Sequence, residues 1–112
     1  MKNKTLLVML GCFLSTQSFA MGVNGNIAAG KEKATTVCAA CHGVDGNKTL
    51  DNTYPKLAGQ YSDYLLKALK EYKSGKRNNA IMAGQAQGLS EAEMANLASY
   101  YGSLPSQLVI IK

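Results

Sequence analysis

The chain has 112 residues, a length that fits one domain with a modest core. Twelve lysines and arginines against seven acidic residues give a net charge of +5. No basic stripe interleaved with aromatic residues accompanies that charge, which argues against nucleic-acid binding. We therefore expect one small domain that needs additional stabilisation, as a metal, a disulfide or a covalent group provides.

The first 20 residues have the organisation of a secretory signal peptide. Two lysines precede an apolar run over residues 5–14, and Ser18-Phe19-Ala20 places small residues at the two positions that matter for cleavage after Ala20. The run is too short to span a bilayer. We therefore expect residues 1–20 to be removed and residues 21–112 to form one periplasmic domain, whose net charge falls to +3 because two lysines leave with the signal.

Cys12 offers an alternative to a freely diffusing periplasmic protein. Gly11-Cys12 after Met9-Leu10 loosely resembles a lipoprotein cleavage box, and a lipid on Cys12 would anchor the protein. The apolar run continues past Cys12, however, and the Ser-x-Ala site follows at a better distance. We expect Cys12 to be discarded with the signal.

A first helix is predicted over residues 27–37. Gly30 inside it costs about 1 kcal/mol relative to alanine, so its expected use is to let another helix approach closely. Residues 43–58 carry turn chemistry, including Asp45-Gly46-Asn47 and Tyr54-Pro55. Sixteen residues without secondary structure inside a small domain need a functional reason, so we predict an ordered loop here.

Two further helices follow. Apolar residues at helical spacing predict one over residues 61–74, with Gly75 as its C-terminal cap. Residues 76–89 are predicted to form a second loop. A capping box, Ser90 with Glu93, then begins a third helix that ends near residue 102. Apart from a possible short strand at residues 108–111, nothing alternates like a strand, so the predicted fold is all-α.

The stretch Cys38-Ala39-Ala40-Cys41-His42 carries the chemistry. Two thiols two residues apart with a following histidine form the attachment pattern of haem c: each thiol bonds one vinyl group and the imidazole becomes the proximal iron ligand. A closed zinc site would need four ligands, and the chain without its signal has two cysteines and one histidine. A thiol–disulfide oxidoreductase carries its CxxC at the start of a helix that follows a strand, whereas here the motif comes at the end of a predicted helix with no strand before it. A plain structural disulfide would leave His42 unexplained.

The second axial ligand is predicted by elimination. The only histidine is already used, so methionine is the natural candidate. Met1 and Met9 belong to the signal, Met21 begins the remaining chain, and Met94 lies on the apolar face of the last helix. Met82, in the predicted loop 40 residues after His42, is left.

Two further contacts are predicted around the haem. A metal-bound imidazole donates its other N–H to an acceptor, and a carbonyl in the Tyr54-Pro55 loop is available for His42. Arg77 is either an ordinary solvated charge or a contact to a haem propionate. The same two interpretations apply to Lys76. Other polar side chains could share the propionate contact, and the sequence does not choose among them: Gln60, Asn78, Asn79 or a tyrosine hydroxyl.

Over nearly the whole chain after the signal, these residues resemble the class I c-type cytochromes, particularly the small bacterial c4, c5 and c-553-like group. The resemblance is carried by five segments in particular: Val37–Gly43 around the CxxCH, Tyr54–Gln60, Gly75–Arg77, Met82 before Leu89-Ser90, and Leu97–Tyr101. It implies a cytochrome c fold, three to four helices around one covalent haem, in which the first and last helices cross. It further implies axial ligation by His42 and Met82 and a Pro55 carbonyl that accepts from His42. Cytochromes c4 proper carry two such domains, so the resemblance is to a single-domain relative.

The function expected from this resemblance is that of a periplasmic monohaem carrier of single electrons, not an enzyme, without a small-molecule substrate. Its expected partners are redox proteins such as a cytochrome bc1-type donor and a terminal oxidase or reductase, and its expected state is a monomer or weak homodimer. Exposed cations would steer anionic partners: Lys48, Lys56, Lys76 and Arg77. The alternatives are a haem subunit of a larger dehydrogenase or oxidase, a haem peroxidase and a gas-binding module.

Overall fold

The computed structural model describes residues 11–12 and 22–107. The predicted signal peptide, apart from residues 11–12, and the possible strand at residues 108–111 lie outside the described residues. Within residues 22–107 the secondary structure is helical and contains no strand, which confirms the all-α class. None of the helices in that part of the chain is both long and apolar enough to cross a bilayer.

The first helix is longer than predicted and changes its winding partway. Three segments follow one another without a break: α1 (Ile27–Lys33), a π-helical segment (Ala34–Cys38) and α2 (Ala39–His42). Asn26 caps the start, and its side chain accepts a hydrogen bond from the Ala29 amide. The hydroxyls of Thr35 and Thr36 donate to carbonyls of the preceding turn. They therefore bond carbonyls at the point where the backbone hydrogen bonds shift from i+4 to i+5.

Three more helices complete the fold: α3 (Ser62–Ser74), α4 (Ala80–Gln87) and α5 (Glu91–Ser103). The predicted glycine cap of α3 is confirmed, since Gly75 has a left-handed backbone with φ of 80°. The Ser90–Glu93 capping box at the start of α5 is also confirmed. The predicted loop over residues 76–89 is wrong, because α4 occupies most of it and Met82 lies in the first turn of that helix.

The crossing of α1 with α5 is the central packing contact. A Cβ atom on Gly30 would lie 2.0 Å from the Asn96 carbonyl oxygen and 2.8 Å from the Tyr100 Cβ, so the two backbones approach as closely as only glycine permits. This confirms the predicted use of Gly30. Helix α3 packs against both α5 and α4. The buried core joins these elements: Ala34, Leu65, Leu89, Met94, Leu97, Ala98, Tyr100 and Tyr101.

Candidate haem site

The loop that follows the CxxCH motif folds back onto it. The Leu50 amide donates to the Cys41 carbonyl over 2.9 Å, and the Gly46 carbonyl accepts from Leu57 and Ala58. At the head of the loop, the Asp45 carboxylate accepts from the amides of Asn47 and Lys48. These backbone bonds lower the pKa of Asp45. The predicted loop over residues 43–58 is therefore ordered and is tied to the motif by the backbone; it extends to residue 61, where α3 is about to begin.

His42 is held in one orientation and one tautomer. Its ring is buried, and Nδ1 lies 2.9 Å from the Pro55 carbonyl oxygen. A carbonyl can only accept, so Nδ1 carries the hydrogen. In the neutral ring the lone pair is then on Nε2. The acceptor proposed from the sequence is thus in place, and the tautomer is the one that a metal-bound histidine requires.

The two thiols of the motif are free and half-buried. Burial raises the pKa of the Cys38 thiol, and the neighbouring Tyr101 hydroxyl opposes that rise. Beside the second thiol, Cys41 raises the pKa of Tyr54, whose ring stands edge-on to His42 with centroids 6.3 Å apart. Both thiols therefore lie against aromatic side chains that come from the following loop and from α5.

The fold also brings Met82 close to His42. Met82 is half-buried in the first turn of α4, where its amide donates to the side chain of the N-cap residue, Asn79, over 3.0 Å. Two bonds join the ends of α3 and α4: Gln87 Nε2 donates to the Lys73 carbonyl over 2.7 Å, and Lys73 Nζ donates to the Leu89 carbonyl. Met82 is thus carried by a short helix whose first turn is capped by Asn79 and whose C-terminal end is bonded to α3.

Arg77 is engaged with α3. Its guanidinium lies 3.5 Å from a Glu71 carboxylate oxygen and donates to the Tyr64 hydroxyl over 3.3 Å. It also stacks over the rings of Tyr64 and Tyr72, at 5.7 and 5.4 Å from their centroids. The tyrosine hydroxyls raise the pKa of Arg77 above its ordinary value. These contacts fix the side chain, and its predicted role at a propionate stays a prediction.

Sequence reasoning missed two residues of the site. From the sequence, Asn79 is only a possible propionate contact, although an asparagine directly before a helix is a typical N-cap signal. Tyr101 is identified from the sequence only as the end of the segment Leu97–Tyr101, yet its hydroxyl opposes the rise in the pKa of Cys38. A tyrosine on an apolar helix face is itself a signal, because a buried hydroxyl normally has a partner.

The geometry fits a haem attached through Cys38 and Cys41. The thiols are free, the imidazole presents Nε2 as its lone-pair nitrogen, and a thioether lies nearby. Apolar side chains on the motif helix, the following loop and α4 are largely exposed, namely Val37 at 47%, Leu50 at 67% and Ile81 at 58%. Such a surface is what a large apolar ring covers.

Comparison with known proteins supports the assignment of a haem site. The family model described as "Cytochrome c" matches residues 27–105. The chain is 48% identical over 79 residues to cytochrome c4 of Pseudomonas aeruginosa, covering 70% of this chain and 38% of the relative. It is 46% identical over 82 residues to cytochrome c-554(548) of Halomonas halodenitrificans, covering 70% and 96%. A crystal structure of reduced cytochrome c4 from Pseudomonas stutzeri superposes with a TM-score of 0.66 at 38% identity, covering 72% and 46%.

The chain belongs to the cytochrome c family, whose members bind haem covalently through a CxxCH motif. Within that family it is a class I c-type cytochrome of the c4 group. It spans 38% of the length of the Pseudomonas aeruginosa cytochrome c4, but nearly all of cytochrome c-554(548).

Two other relatives have names that describe a role. One, from Thiomonas intermedia, is called "Thiosulfate dehydrogenase electron acceptor" and is 45% identical over 67 residues, covering 60% of this chain and 31% of the relative. The other, from Chlorobaculum tepidum, is called "Cytochrome subunit of sulfide dehydrogenase" and is 36% identical over 67 residues, covering 60% and 59%.

Proposed function

We propose that this protein is a periplasmic monohaem carrier of single electrons in which His42 and Met82 are the axial iron ligands. The observation that supports this most strongly is the hydrogen bond from His42 Nδ1 to the Pro55 carbonyl, in a buried ring next to two free thiols. The haem iron, when bound, supplies a one-electron ferrous/ferric couple. With both axial positions filled by side chains, the protein passes electrons without binding a substrate.

Each residue of the proposed site has a separate role. Pro55 orients His42 through its backbone carbonyl, and a hydrogen bond of this kind also raises the basicity of a ligating imidazole. Met82 offers a soft thioether sulfur, which favours the reduced state and raises the reduction potential. The loop over residues 43–61 carries the acceptor for His42, and helix α4 carries Met82. Cys38 and Cys41 hold the group covalently, so ligand loss does not release it.

A visible spectrum of the purified holoprotein tests the proposal. We expect a low-spin spectrum in both oxidation states and, in the oxidised form, the weak methionine–iron charge-transfer band. Met82→Ala should abolish that band and open the iron to carbon monoxide, whereas Met94→Leu, a substitution on the buried face of α5, should retain it. A wild-type protein without the band, or one that binds carbon monoxide rapidly, would instead support a peroxidase or a gas-binding module.

The predicted export and cleavage have a separate test. Intact mass spectrometry of protein recovered from the periplasm should give the mass of residues 21–112 plus one haem. A mature chain that begins at Cys12 and carries fatty acids would contradict this and establish a lipid anchor.

A second candidate, a haem subunit of a dehydrogenase, is favoured by the name of one relative, the cytochrome subunit of sulfide dehydrogenase. In that case this chain would stay bound to a catalytic protein. Affinity purification of the tagged holoprotein from its native cells, followed by size exclusion, decides between the two. Elution as a free monomer or homodimer supports the diffusing carrier, whereas stoichiometric co-elution with a larger chain supports the subunit.

A further inference from the structure

Tyr101 carries a buried hydroxyl group that has no conventional partner. The residue is 3% exposed, and within residues 22–107 its hydroxyl and the Asn47 side-chain oxygen are the buried polar side-chain atoms without a hydrogen bond. Leaving such a hydroxyl unpaired is unfavourable, because the group gives up its bonds to water on burial. Phenylalanine would fill the same space without that penalty, so the hydroxyl requires an explanation.

The ring of Tyr101 is fixed in place by its neighbours. A Cβ atom on Gly46 would lie 3.0 and 3.1 Å from two of its ring carbons, so the loop backbone lies against the ring itself. The Tyr101 carbonyl accepts from the Gly59 amide over 2.9 Å, which ties this turn of α5 to the same loop. The Tyr100 ring packs against it in a tilted arrangement, at a centroid distance of 5.2 Å. The hydroxyl therefore has little freedom to find a partner elsewhere.

Cys38 packs against the buried cluster that contains Tyr101. Its sulfur also influences the hydroxyl, since burial and then Cys38 raise the pKa of Tyr101. A tyrosine hydroxyl carries its hydrogen at neutral pH, and a raised pKa favours that form. Once Cys38 is bonded to haem, its sulfur is a thioether, which has lone pairs and no hydrogen, and can only accept.

We propose that Tyr101 is a haem-tuning residue, whose hydroxyl donates a hydrogen bond to the Cys38 thioether. The positive end of the O–H dipole then points toward the bridge between protein and porphyrin. This withdraws electron density from the porphyrin and favours the ferrous state. The inference rests on the covalent attachment at Cys38 and does not depend on ligation by Met82.

The test compares Tyr101→Phe with Tyr100→Phe in the holoprotein. Both substitutions remove one hydroxyl from neighbouring buried rings on α5, but the Tyr100 hydroxyl is not among the buried groups without a partner. We expect Tyr101→Phe to lower the reduction potential and to shift the carbon–sulfur stretching band of the Cys38 bridge in the resonance Raman spectrum. Tyr100→Phe should change neither.

An unchanged potential and an unchanged carbon–sulfur band in Tyr101→Phe would overturn the proposal. A rise in the thermal midpoint of that variant, with the potential unchanged, would do the same and would identify the hydroxyl as an unsatisfied core group. The visible spectrum of the oxidised wild type tests the axial ligand independently of this comparison. If the methionine–iron band is missing from that spectrum, Met82 ligation is rejected, but the comparison of Tyr101→Phe with Tyr100→Phe remains valid.

Discussion

Asn79 shows how one side chain outside the CxxCH motif controls a proposed iron ligand. Its Oδ1 accepts the amide hydrogen of Met82, and so closes the first turn of a helix only eight residues long. A helix this short has little stability of its own and depends on its caps and its packing. The position of Met82 is therefore coupled to the cap by the backbone.

At the residue scale, we predict that Asn79→Ala weakens the bond between Met82 and iron. Loss of an N-cap costs roughly 0.5–2 kcal/mol, and here the cost falls on the turn that carries the ligand. The charge-transfer band of the oxidised protein should disappear at a lower temperature than in the wild type. Asn79→Asp, which keeps a capping oxygen, should restore most of the loss.

Asn78→Ala is the matched control for this prediction. Asn78 is exposed and makes no side-chain hydrogen bond within residues 22–107, so its removal should leave the band unchanged. If Asn79→Ala lowers the temperature of global unfolding and of band loss equally, the cap stabilises the whole domain and not the ligand turn in particular.

The His42 acceptor illustrates a different kind of control. It is a backbone carbonyl, so no side-chain substitution at Pro55 deletes it. What determines its position is the loop, through the bonds that Gly46 accepts from Leu57 and Ala58. The orientation of the proximal ligand thus depends on the backbone path of a segment that has no regular secondary structure.

At the element scale, the crossing of α1 and α5 leads to a prediction about Gly30. Alanine there would place Cβ 2.0 Å from the Asn96 carbonyl oxygen, a contact that only backbone movement relieves. We expect Gly30→Ala to lower the free energy of unfolding by about 1–3 kcal/mol or more, the range for overpacked interiors. Urea unfolding of the oxidised holoprotein, followed by circular dichroism, measures it.

Gly84→Ala is the control for the helix crossing. Gly84 lies inside α4 with nothing within 4 Å of its added Cβ. Because alanine is the better helix former, the free energy of unfolding should rise by roughly 0.5–1 kcal/mol. A comparable loss of stability in both variants would show that the Gly30 effect is not specific to the close approach of α1 and α5.

The junction between the first helix and α5 also carries a pH-dependent contact. Glu93 completes the capping box through the Ser90 amide and lies 2.9 Å from Lys33 on α1. The hydrogen bond from Ser90 and then that from Lys33 lower the pKa of Glu93. A carboxylate with a lowered pKa contributes stability above its unfolded-state pKa, and loses it as the pH falls through the folded value.

We therefore predict that Glu93→Gln lowers the thermal midpoint at neutral pH and that the difference from the wild type shrinks in acid. The glutamine keeps a capping oxygen but has no charge for Lys33. Thermal unfolding from pH 7 down to about pH 3, which brackets the ordinary glutamate pKa, measures the convergence. Asp63→Asn, at an exposed carboxylate in no ion pair within residues 22–107, is the control. A gap that stays constant across the range would contradict the linkage.

At the scale of the whole molecule, the distribution of charge predicts the rate of association with partners. Lys48, Lys56 and Lys76 are exposed and belong to none of the ion pairs within residues 22–107. Arg77 differs from the expectation, since Glu71 and two tyrosines already engage it. We therefore assign the steering of anionic partners to the three lysines, an effect that salt screens over about 8–10 Å.

The measurement is the rate of oxidation of the ferrous protein by ferricyanide as ionic strength rises. We expect the rate to fall with salt, and Lys56→Glu to slow the reaction at low salt and to flatten the salt dependence. Lys31→Glu makes the same charge change on α1, more than a helical turn before the CxxCH motif. Equal effects of the two substitutions would indicate that net charge, and not the position of Lys56, governs the rate.

Helix α4 is the part of the fold that the sequence pattern did not predict. Its eight residues have no apolar stripe, and Gly84 with Gly88 suggested a loop. The helix forms because Asn79 caps its first turn and because Gln87 and Leu89, at and after its C-terminal end, are bonded to Lys73 of α3. The cap is a local signal, whereas the bonds to α3 are contacts between elements, which leave no periodic signal in the sequence.

The sequence by itself determined the attachment chemistry. The spacing of Cys38, Cys41 and His42 depends only on one helical turn, and the composition leaves few candidates for a second ligand. Local patterns were likewise sufficient for α3 and α5, whose caps are encoded within a few residues. Tertiary structure alone decided the tautomer of His42, the helix that carries Met82 and the contact of Tyr101 with Cys38, because each joins residues 13 or more positions apart that only the packed chain brings together.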